Sequence, residues 1–411
     1  MKALKVLIIA AVMGLTACSS SAGSDSPVTL KVWTTTVDQA TTVLKERIKR
    51  FESEHPNIKV QVEELSMGAA SSQFKTSMLG SDAPDLFRSD NAWVSELGEL
   101  GLLHPLDDYI TESDRKDFID SAIQSVEHNH QLMGLPIVME APALLYNKKM
   151  LQSAGLNSPP ATMNELLEDA KKLTDENHYG IYLSNDSYIA QSYLWAFGGG
   201  TVTNDKEIRI TSPESKAAIE FMLTLKKEQV IQPYSDYQDG YEKMMNDFKE
   251  GRAAMTINGP WAVNDILSGQ AFKDPANLGI TAVPKGPGGQ GSPAGGHSWV
   301  MGKYSQHPEE AYELAHFLTD TSTQLELTKQ LKTLPTRKST YENAELQSDL
   351  VVQGFKTQLE AAKSRPLFPE EGQLYSDFTG NLSDILLGSQ SIDEGLNNIQ
   401  NAWKTLLNIK D

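Results

Sequence analysis

The N-terminal part of the chain alternates strand and helix patterns, and this feature constrains the fold most strongly. Residues 28–33 and 58–62 alternate apolar and polar side chains, as half-buried strands do. Between them, Leu44, Ile48 and Phe51 recur at helical spacing. A strand, a helix and a strand in this order form a βαβ unit, which predicts an α/β fold with parallel strands.

Length and composition narrow the possible architectures and partners. A chain of 411 residues is too long for one hydrophobic core, so we expect two or three domains. The 54 acidic residues outnumber the 36 Lys and Arg residues, and the net charge of −18 argues against a nucleic-acid partner. The single cysteine, Cys18, excludes disulfides within the chain and cysteine-based zinc or iron–sulfur sites.

Three helix starts are predicted from capping residues. Thr162 and Ser391 each precede a glutamate by three positions, which is a capping box, and Ser212 is followed by proline. The last of these helices carries an apolar stripe formed by Ile392, Leu396, Ile399, Trp403 and Leu406.

The first residues have the pattern of an export signal. Lys2 and Lys5 precede an apolar run over residues 6–15, which is too short to span a bilayer. Leu-Thr-Ala-Cys then resembles the lipobox of bacterial lipoproteins. We predict a signal peptide over 1–17, a flexible tether over 18–27, and a lipid on Cys18 that anchors the protein to the outer face of the plasma membrane. The alternative is a plain secretory signal that ends near Ala17.

A glycine-rich stretch over residues 285–297 needs interpretation. Gly286, Gly288 and Gly291 match the G-x-G-x-x-G pattern, but Pro287 and Pro293 interrupt it and a strand-like segment follows. We therefore predict a flexible loop and no nucleotide cofactor. No catalytic signature or metal-ligand spacing occurs, although a pair of glycosidase carboxylates could lie among so many acidic residues.

Aromatic residues beside turns point to carbohydrate. A sugar ring has an apolar face that stacks on flat aromatic rings and hydroxyls that pair with carboxylates, amides and Arg. Trp261 follows Asn-Gly-Pro and Trp299 follows Gly-Gly-His-Ser, so both are predicted to be exposed in a cleft. Trp33, Trp195 and Trp403 are predicted to be core residues.

Several segments resemble a known family. The chain is similar to family 1 extracellular solute-binding proteins of ABC importers, in particular to the maltose/maltooligosaccharide-binding lipoproteins of Gram-positive, actinobacterial type. Leu-Tyr-Asn-Lys over 145–148 and Asn-Gly-Pro-Trp over 258–261 are its most specific markers. The other matching segments are 51–60, 83–90, 134–140, 254–257, 277–284, 295–297 and 334–337.

The resemblance implies a two-lobe, periplasmic-binding-protein-like (type II) fold with the ligand cleft between the lobes. Lobe 1 would comprise 28–139 plus 286–335, and lobe 2 would comprise 140–285 plus 336–411. The chain would cross between them near 138–142, 284–288 and 333–338.

The resemblance also implies ligand positions. The first-lobe match is looser because Ser89 stands where the enterobacterial maltose-binding pattern has Trp, which leaves the number of glucose subsites open. The candidate residues are Asp38, Asp90, Trp93, Glu140, Tyr188, Trp261, Gly296, His297, Trp299, Arg365, Tyr375 and Phe378.

The function implied is capture of maltose or maltooligosaccharides by lobe closure and delivery to ABC permease subunits, by a monomer without cofactor or metal and without catalysis. A trehalose- or other oligosaccharide-binding protein is the alternative within this class. A secreted glycosidase is the alternative outside it.

Overall fold

The computed structural model describes residues 27–36, 38–80 and 82–409, without the side chain of Asp38. The predicted signal peptide and most of the predicted tether, including Cys18, lie outside the described residues. Within them there are twelve strands: β1 (Val28–Thr34), β2 (Ile58–Glu64), β3 (Leu86–Asp90), β4 (Glu127–His128), β5 (Gln131–Leu132), β6 (Gly134–Glu140), β7 (Ala143–Asn147), β8 (Tyr179–Tyr182), β9 (Ala253–Asn258), β10 (Leu278–Thr281), β11 (Pro293–Met301) and β12 (Lys363–Ser364).

Helices make up most of the remaining structure. None of the helices in the described ranges combines the length and the apolar character that crossing a membrane requires. The α-helices are α1 (Asp38–Glu54), α2 (Met67–Ser77), α3 (Asn91–Glu99), α4 (Glu112–Asp117), α5 (Asp120–Gln124), α6 (Lys148–Ser153), α7 (Met163–Leu173), α8 (Ser187–Phe197), α9 (Pro213–Lys227), α10 (Gly240–Lys249), α11 (Val263–Ser268), α12 (Pro308–Thr319), α13 (Thr321–Leu331), α14 (Ala344–Ser348), α15 (Leu350–Ala361), α16 (Leu374–Leu387) and α17 (Ile392–Leu406). Short 3-10 turns cover Pro260–Ala262, Gln270–Phe272, Pro275–Asn277, Ser339–Glu342 and Glu371–Gln373.

The larger sheet has the order β12-β11-β3-β1-β2, and β6 also pairs with β11. β1 is parallel to β2 and to β3, which confirms the predicted βαβ unit. β11 runs antiparallel to both β3 and β6. The sheet is therefore mixed, because a late segment of the chain enters it in the opposite direction.

A second sheet has the order β10-β7-β9-β8. β8 and β9 are parallel, whereas the β7–β9 and β7–β10 pairs are antiparallel. Each sheet is covered by helices and has its own core. Phe51, Phe74 and Phe87 lie in the core of the larger sheet. Trp403 and Tyr193 lie in a core beside the smaller sheet.

The predicted helix starts are confirmed. The hydroxyl oxygens of Thr162, Ser212 and Ser391 each accept a hydrogen bond from the backbone N–H three residues later, at 3.1 to 3.2 Å. Because these caps satisfy backbone groups that would otherwise lack a partner, they fix where the helices begin. The predicted stripe of α17 faces inward, with Leu396, Ile399 and Trp403 buried.

The strands change from one sheet to the other between β6 and β7 and again between β10 and β11. A third segment, between α13 and α15, leads to a helix that packs on β10, and β12 then returns to the larger sheet. The first and third are joined where the Met139 N–H donates to the Leu334 carbonyl at 3.0 Å. The lobe boundaries 28–139 plus 286–335 and 140–285 plus 336–411 stay a prediction.

Arg337 fixes the third segment to the larger sheet's side of the molecule. Its buried guanidinium donates to the Thr319 carbonyl at 2.5 Å and to Asp114 at 2.6 Å, and it stacks 4.1 Å from the centre of the Phe118 ring. Burial raises the pKa of Asp114, but hydrogen bonds from His316 and Arg337 outweigh it and lower that pKa to about 2. This carboxylate is therefore ionised throughout the neutral range, and the segment stays anchored.

Candidate functional site

The first half of β11 brings together polar residues from three distant parts of the chain. His297 lies opposite Asp90 at the end of β3, and Gly295 lies opposite Glu140 at the end of β6. Both flanking strands end here, so their terminal carboxylates stand on either side of β11. The carboxylate of Glu140 lies 3.6 Å from Nδ1 of His297.

Two glycines of β11 leave room for these neighbours. Gly296 has φ of +154°, and a Cβ there would overlap the carbonyl of Val138. A Cβ on Gly295 would overlap the hydroxyl of Tyr188. Because Gly295 has no side chain, the Tyr188 hydroxyl can approach β11 and donates to the Pro293 carbonyl at 3.2 Å. This hydrogen bond holds the Tyr188 ring against the strand.

Arg365 enters the same region from a short parallel strand. It directly follows β12, which pairs with Pro293 and Ala294 of β11. Its Nη1 donates to Asp90 at 3.2 Å, and its Nε and Nη2 both donate to Glu371 at 2.9 Å. Although desolvation lowers the pKa of Arg365, Glu371, Tyr375 and Asp90 outweigh it and raise that pKa well above its usual value.

Two aromatic rings flank this guanidinium, and a third ring lies beside one of them. The ring centre of Tyr188 lies 6.3 Å from that of Trp261 and 6.2 Å from that of Tyr375. The guanidinium carbon of Arg365 lies 5.6 Å from the Tyr188 centre and 5.1 Å from the Tyr375 centre. Burial raises the pKa of both phenols well above the usual value, so both remain neutral donors.

Trp261 is the exposed member of this group, with 38 % of its surface accessible. β9 ends at Asn258, and the following 3-10 turn displays the indole at the edge of the smaller sheet. A Cβ on Gly259 would overlap the ring, so only glycine permits the indole to fold back over the turn. Nε1 of Trp261 donates to the hydroxyl of Tyr241 at 3.1 Å.

An open cleft reaches this group of residues at Gly295 and Arg365. The polar lining of the cleft includes Asn91, Ser95, Ser125, Glu127, Ser364 and Arg365. Arg88 lies on β3, where burial lowers the pKa of its guanidinium to about 10 although the carboxylates of Glu140 and Asp90 raise it, so Arg88 is charged at neutral pH.

The structure contradicts the prediction that Trp299 and Phe378 contact the ligand. Trp299 is 0 % exposed and lies in the core of the larger sheet, between Arg88 and Leu135 on the neighbouring strands. Phe378 is 1 % exposed, with its ring edge against Trp403 at 6.2 Å between ring centres. A ring without accessible surface cannot stack on a ligand, so both residues belong to the core.

The remaining predicted residues are placed as follows. Trp93 is half-buried beside Phe87, and its indole faces Gly372 in the turn that carries Glu371. Asp38 begins α1, but its side chain lies outside the described structure. Trp33 and Trp403 are buried as predicted, whereas Trp195 is only half-buried.

The sequence reasoning did not single out Glu371, Tyr241 or Asn91. Glu371 lies four residues before Tyr375, a spacing that brings side chains together on a helical turn and that could have indicated the pair. Tyr241 and Asn91 have no comparable signal.

The arrangement suits a neutral, hydroxyl-rich ring. Rings such as Trp261 and Tyr188 offer flat apolar surface, while Asp90, Glu140 and Arg365 supply charged hydrogen-bonding groups beside them. In the part of the chain that the structure covers, no group of three or more His, Cys, Asp or Glu side chains could hold a metal ion. The loop predicted over residues 285–297 is wrong for its last five residues, because β11 begins at Pro293. In the first part of the stretch, the Gly288 N–H donates to the Ala196 carbonyl of α8.

Comparison with known proteins identifies chains with a similar architecture. The GacH receptor of Streptomyces glaucescens, whose structures include complexes with acarbose, aligns with a TM-score of 0.88 at 31% identity over 93% of this chain and 99% of that chain. The maltotriose-binding protein of Thermus thermophilus aligns with a TM-score of 0.80 at 26% identity over 92% of this chain and 100% of that chain. The maltodextrin-binding protein MdxE of Bacillus subtilis is 27% identical over 97% of this chain and 95% of that protein.

These likenesses confirm the predicted α/β, periplasmic-binding-protein-like fold. A family model described as bacterial extracellular solute-binding protein matches residues 35–325, which is well over half of the sequence. The chain therefore belongs to the family of bacterial extracellular solute-binding proteins.

Proposed function

We propose that this protein is the substrate-binding component of an ABC importer for maltose and maltooligosaccharides. The observation that carries the proposal is the cleft at β11, where Asp90, Glu140 and Arg365 stand beside the rings of Tyr188 and Trp261. Relatives named for maltotriose and maltodextrin binding support the choice of sugar.

Binding would work by closure of the two predicted lobes. Lobe 1 would offer Asp38, Asp90 and Trp93, and lobe 2 would offer Trp261 and Tyr375. Sugar that contacts both favours the closed form, because a ligand shifts a conformational balance only through its differential affinity for the two states. The closed monomer would then dock on permease subunits and release the sugar uncleaved.

Calorimetry with maltose, maltotriose, trehalose and xylobiose tests this proposal. We expect the α-1,4-linked glucosides to bind and xylobiose to show no heat of binding. Product analysis after prolonged incubation with maltotriose should show no glucose. If only trehalose binds, the protein is a trehalose-binding protein and the choice of maltose is wrong. If maltotriose releases glucose, and substitution of a carboxylate abolishes that release, the protein is a glycosidase.

We also propose that Cys18, outside the described residues, carries the lipid that holds the protein at the outer face of the plasma membrane. The full chain should incorporate labelled palmitate in a bacterial host, and Cys18→Ser should not. The same variant, made without residues 1–17, should be soluble and should bind sugar normally, because the proposed role of Cys18 is anchoring alone. Equal labelling of both chains, or loss of sugar binding in the variant, would contradict this role.

A further inference from the structure

Glu371 is a buried carboxylate beside the cleft. Its side chain is 2 % exposed, and its two oxygens accept from Nε and Nη2 of Arg365, both at 2.9 Å. The oxygen that faces Nε also accepts from the Tyr375 hydroxyl at 2.6 Å. Glu371 thus offers almost no surface to a ligand, yet it holds two residues that do.

The hydrogen bonds to Glu371 fix the orientation of Arg365 and Tyr375 as well as their position. A guanidinium is planar, so a bidentate pair with a carboxylate sets the plane of the whole group. That plane determines where Nη1 of Arg365 meets Asp90, at 3.2 Å, and how the cation lies against the Tyr188 ring. The bond from Tyr375 likewise sets the direction in which its ring faces the cleft.

The same contacts determine the charge that a ligand meets. Arg365 is matched by two carboxylates, which leaves it no unpaired positive charge for an anionic ligand. Negative side chains around the cleft outnumber positive ones, so a neutral ligand meets less repulsion than an anionic one. Asp90, Glu140, Glu371 and Glu127 are the carboxylates, and Arg88 and Arg365 are the cations among these residues.

We propose that Glu371 is a positioning residue that also sets specificity. It orients Arg365 and Tyr375 and neutralises Arg365, so the cleft accepts neutral oligosaccharides and rejects anionic ones. This inference rests on the proposed sugar-binding function. Removing the carboxylate charge loosens both groups and leaves the cation available to a negative ligand.

The test compares maltose with maltobionate, in which the reducing end of maltose is oxidised to a carboxylate. Glu371→Gln keeps the size of the side chain and removes its charge. We expect its affinity for maltose to fall about tenfold while that for maltobionate is retained, because charged hydrogen bonds contribute roughly this much. The maltose-to-maltobionate affinity ratio, measured by calorimetry well below the melting temperature, should therefore drop about tenfold.

Asp247→Asn is the matched control. Asp247 is 1 % exposed and accepts from Nε of Arg252 at 2.6 Å, from the Tyr234 hydroxyl at 2.7 Å and from the Tyr179 hydroxyl, so it too is a buried carboxylate held by an arginine and by phenols, but outside the cleft. We expect this variant to melt at a lower temperature and to keep both affinities. An effect on the ratio in the control as large as that in Glu371→Gln would overturn the proposal.

The other outcomes are equally decisive. An equal loss of affinity for both ligands in Glu371→Gln would leave Glu371 a structural residue only, and unchanged affinities would remove any role in binding.

If that variant fails to fold, Tyr375→Phe is the second test, because it deletes only the hydroxyl that Glu371 holds. This variant should bind maltose several-fold more weakly, and an unchanged affinity would overturn the positioning role. A wild-type protein that binds neither sugar would remove the proposed function itself and this inference with it.

Discussion

A Trp299→Ala variant is expected to lose about 3–5 kcal/mol of unfolding free energy while its affinity for sugar stays nearly unchanged. The indole is fully buried in β11, the strand that joins β3 and β6, so its removal leaves a cavity in the centre of the larger sheet. Urea unfolding of the ligand-free protein measures the loss, and calorimetry at a temperature where the variant is folded measures affinity.

Trp299→Phe is the control for this prediction. Phenylalanine refills most of the volume, and the indole Nε1 has no hydrogen-bond partner among the described residues, so the exchange breaks no hydrogen bond. Most of the stability should therefore return. A stable Trp299→Ala variant with lost affinity would instead put this side chain back in the cleft.

For Trp261→Ala we expect the opposite result, in which affinity for sugar falls and the stability of the ligand-free protein is kept. Its indole is partly exposed over Gly259, so truncation opens no core cavity and the melting temperature of the ligand-free protein should barely change. Stacking of aromatic rings on nucleobases contributes about 1–3 kcal/mol, and a similar loss of sugar stacking weakens affinity roughly 5- to 150-fold. Thermal melting and calorimetry on one preparation test both parts.

Tyr304→Ala controls for the loss of an exposed aromatic ring as such. Tyr304 is 57 % exposed and lies beyond the end of β11, away from the cleft residues, so its removal should leave affinity unchanged. A large fall in the stability of Trp261→Ala with intact affinity would show that Trp261 belongs to the core.

Local patterns predicted the local structure well. Alternation placed β1 and β2, helical spacing placed α1, and the hydroxyl caps placed the starts of three helices, because each of these depends on residues a few positions apart. The resemblance to a family named residues that the structure brings to one cleft, including Glu140, Tyr188 and Arg365.

Trp261 and Trp299 show where local patterns fail. Both follow glycine-containing segments in the sequence, but Trp299 lies within β11 whereas Trp261 lies in the 3-10 turn after β9. The register of β11 against β6 shifts between His297 and Ser298, which alters the alternation of faces that a strand pattern assumes. The mixed sheet was missed for a related reason, since no local pattern shows that a distant segment will pair antiparallel with β3.

Glu371 could not have been identified from composition. It is one of 54 acidic residues, and nothing in its immediate neighbours marks it as buried. Its role depends on the backbone that carries Arg365 toward it and on a short turn before α16. The four-residue spacing to Tyr375 could have indicated that pair, but only the three-dimensional arrangement shows that this carboxylate is buried against Arg365.

The position of β11 also affects the time course of folding. β11 pairs with β3 across roughly 200 intervening residues, so β3 and β6 cannot be joined through β11 until the end of this strand, Met301, has left the ribosome. Long sequence separation between contacts gives a high contact order, and folding is correspondingly slow. The edges of β3 and β6 that face β11 therefore stay unpaired until that strand has been synthesised.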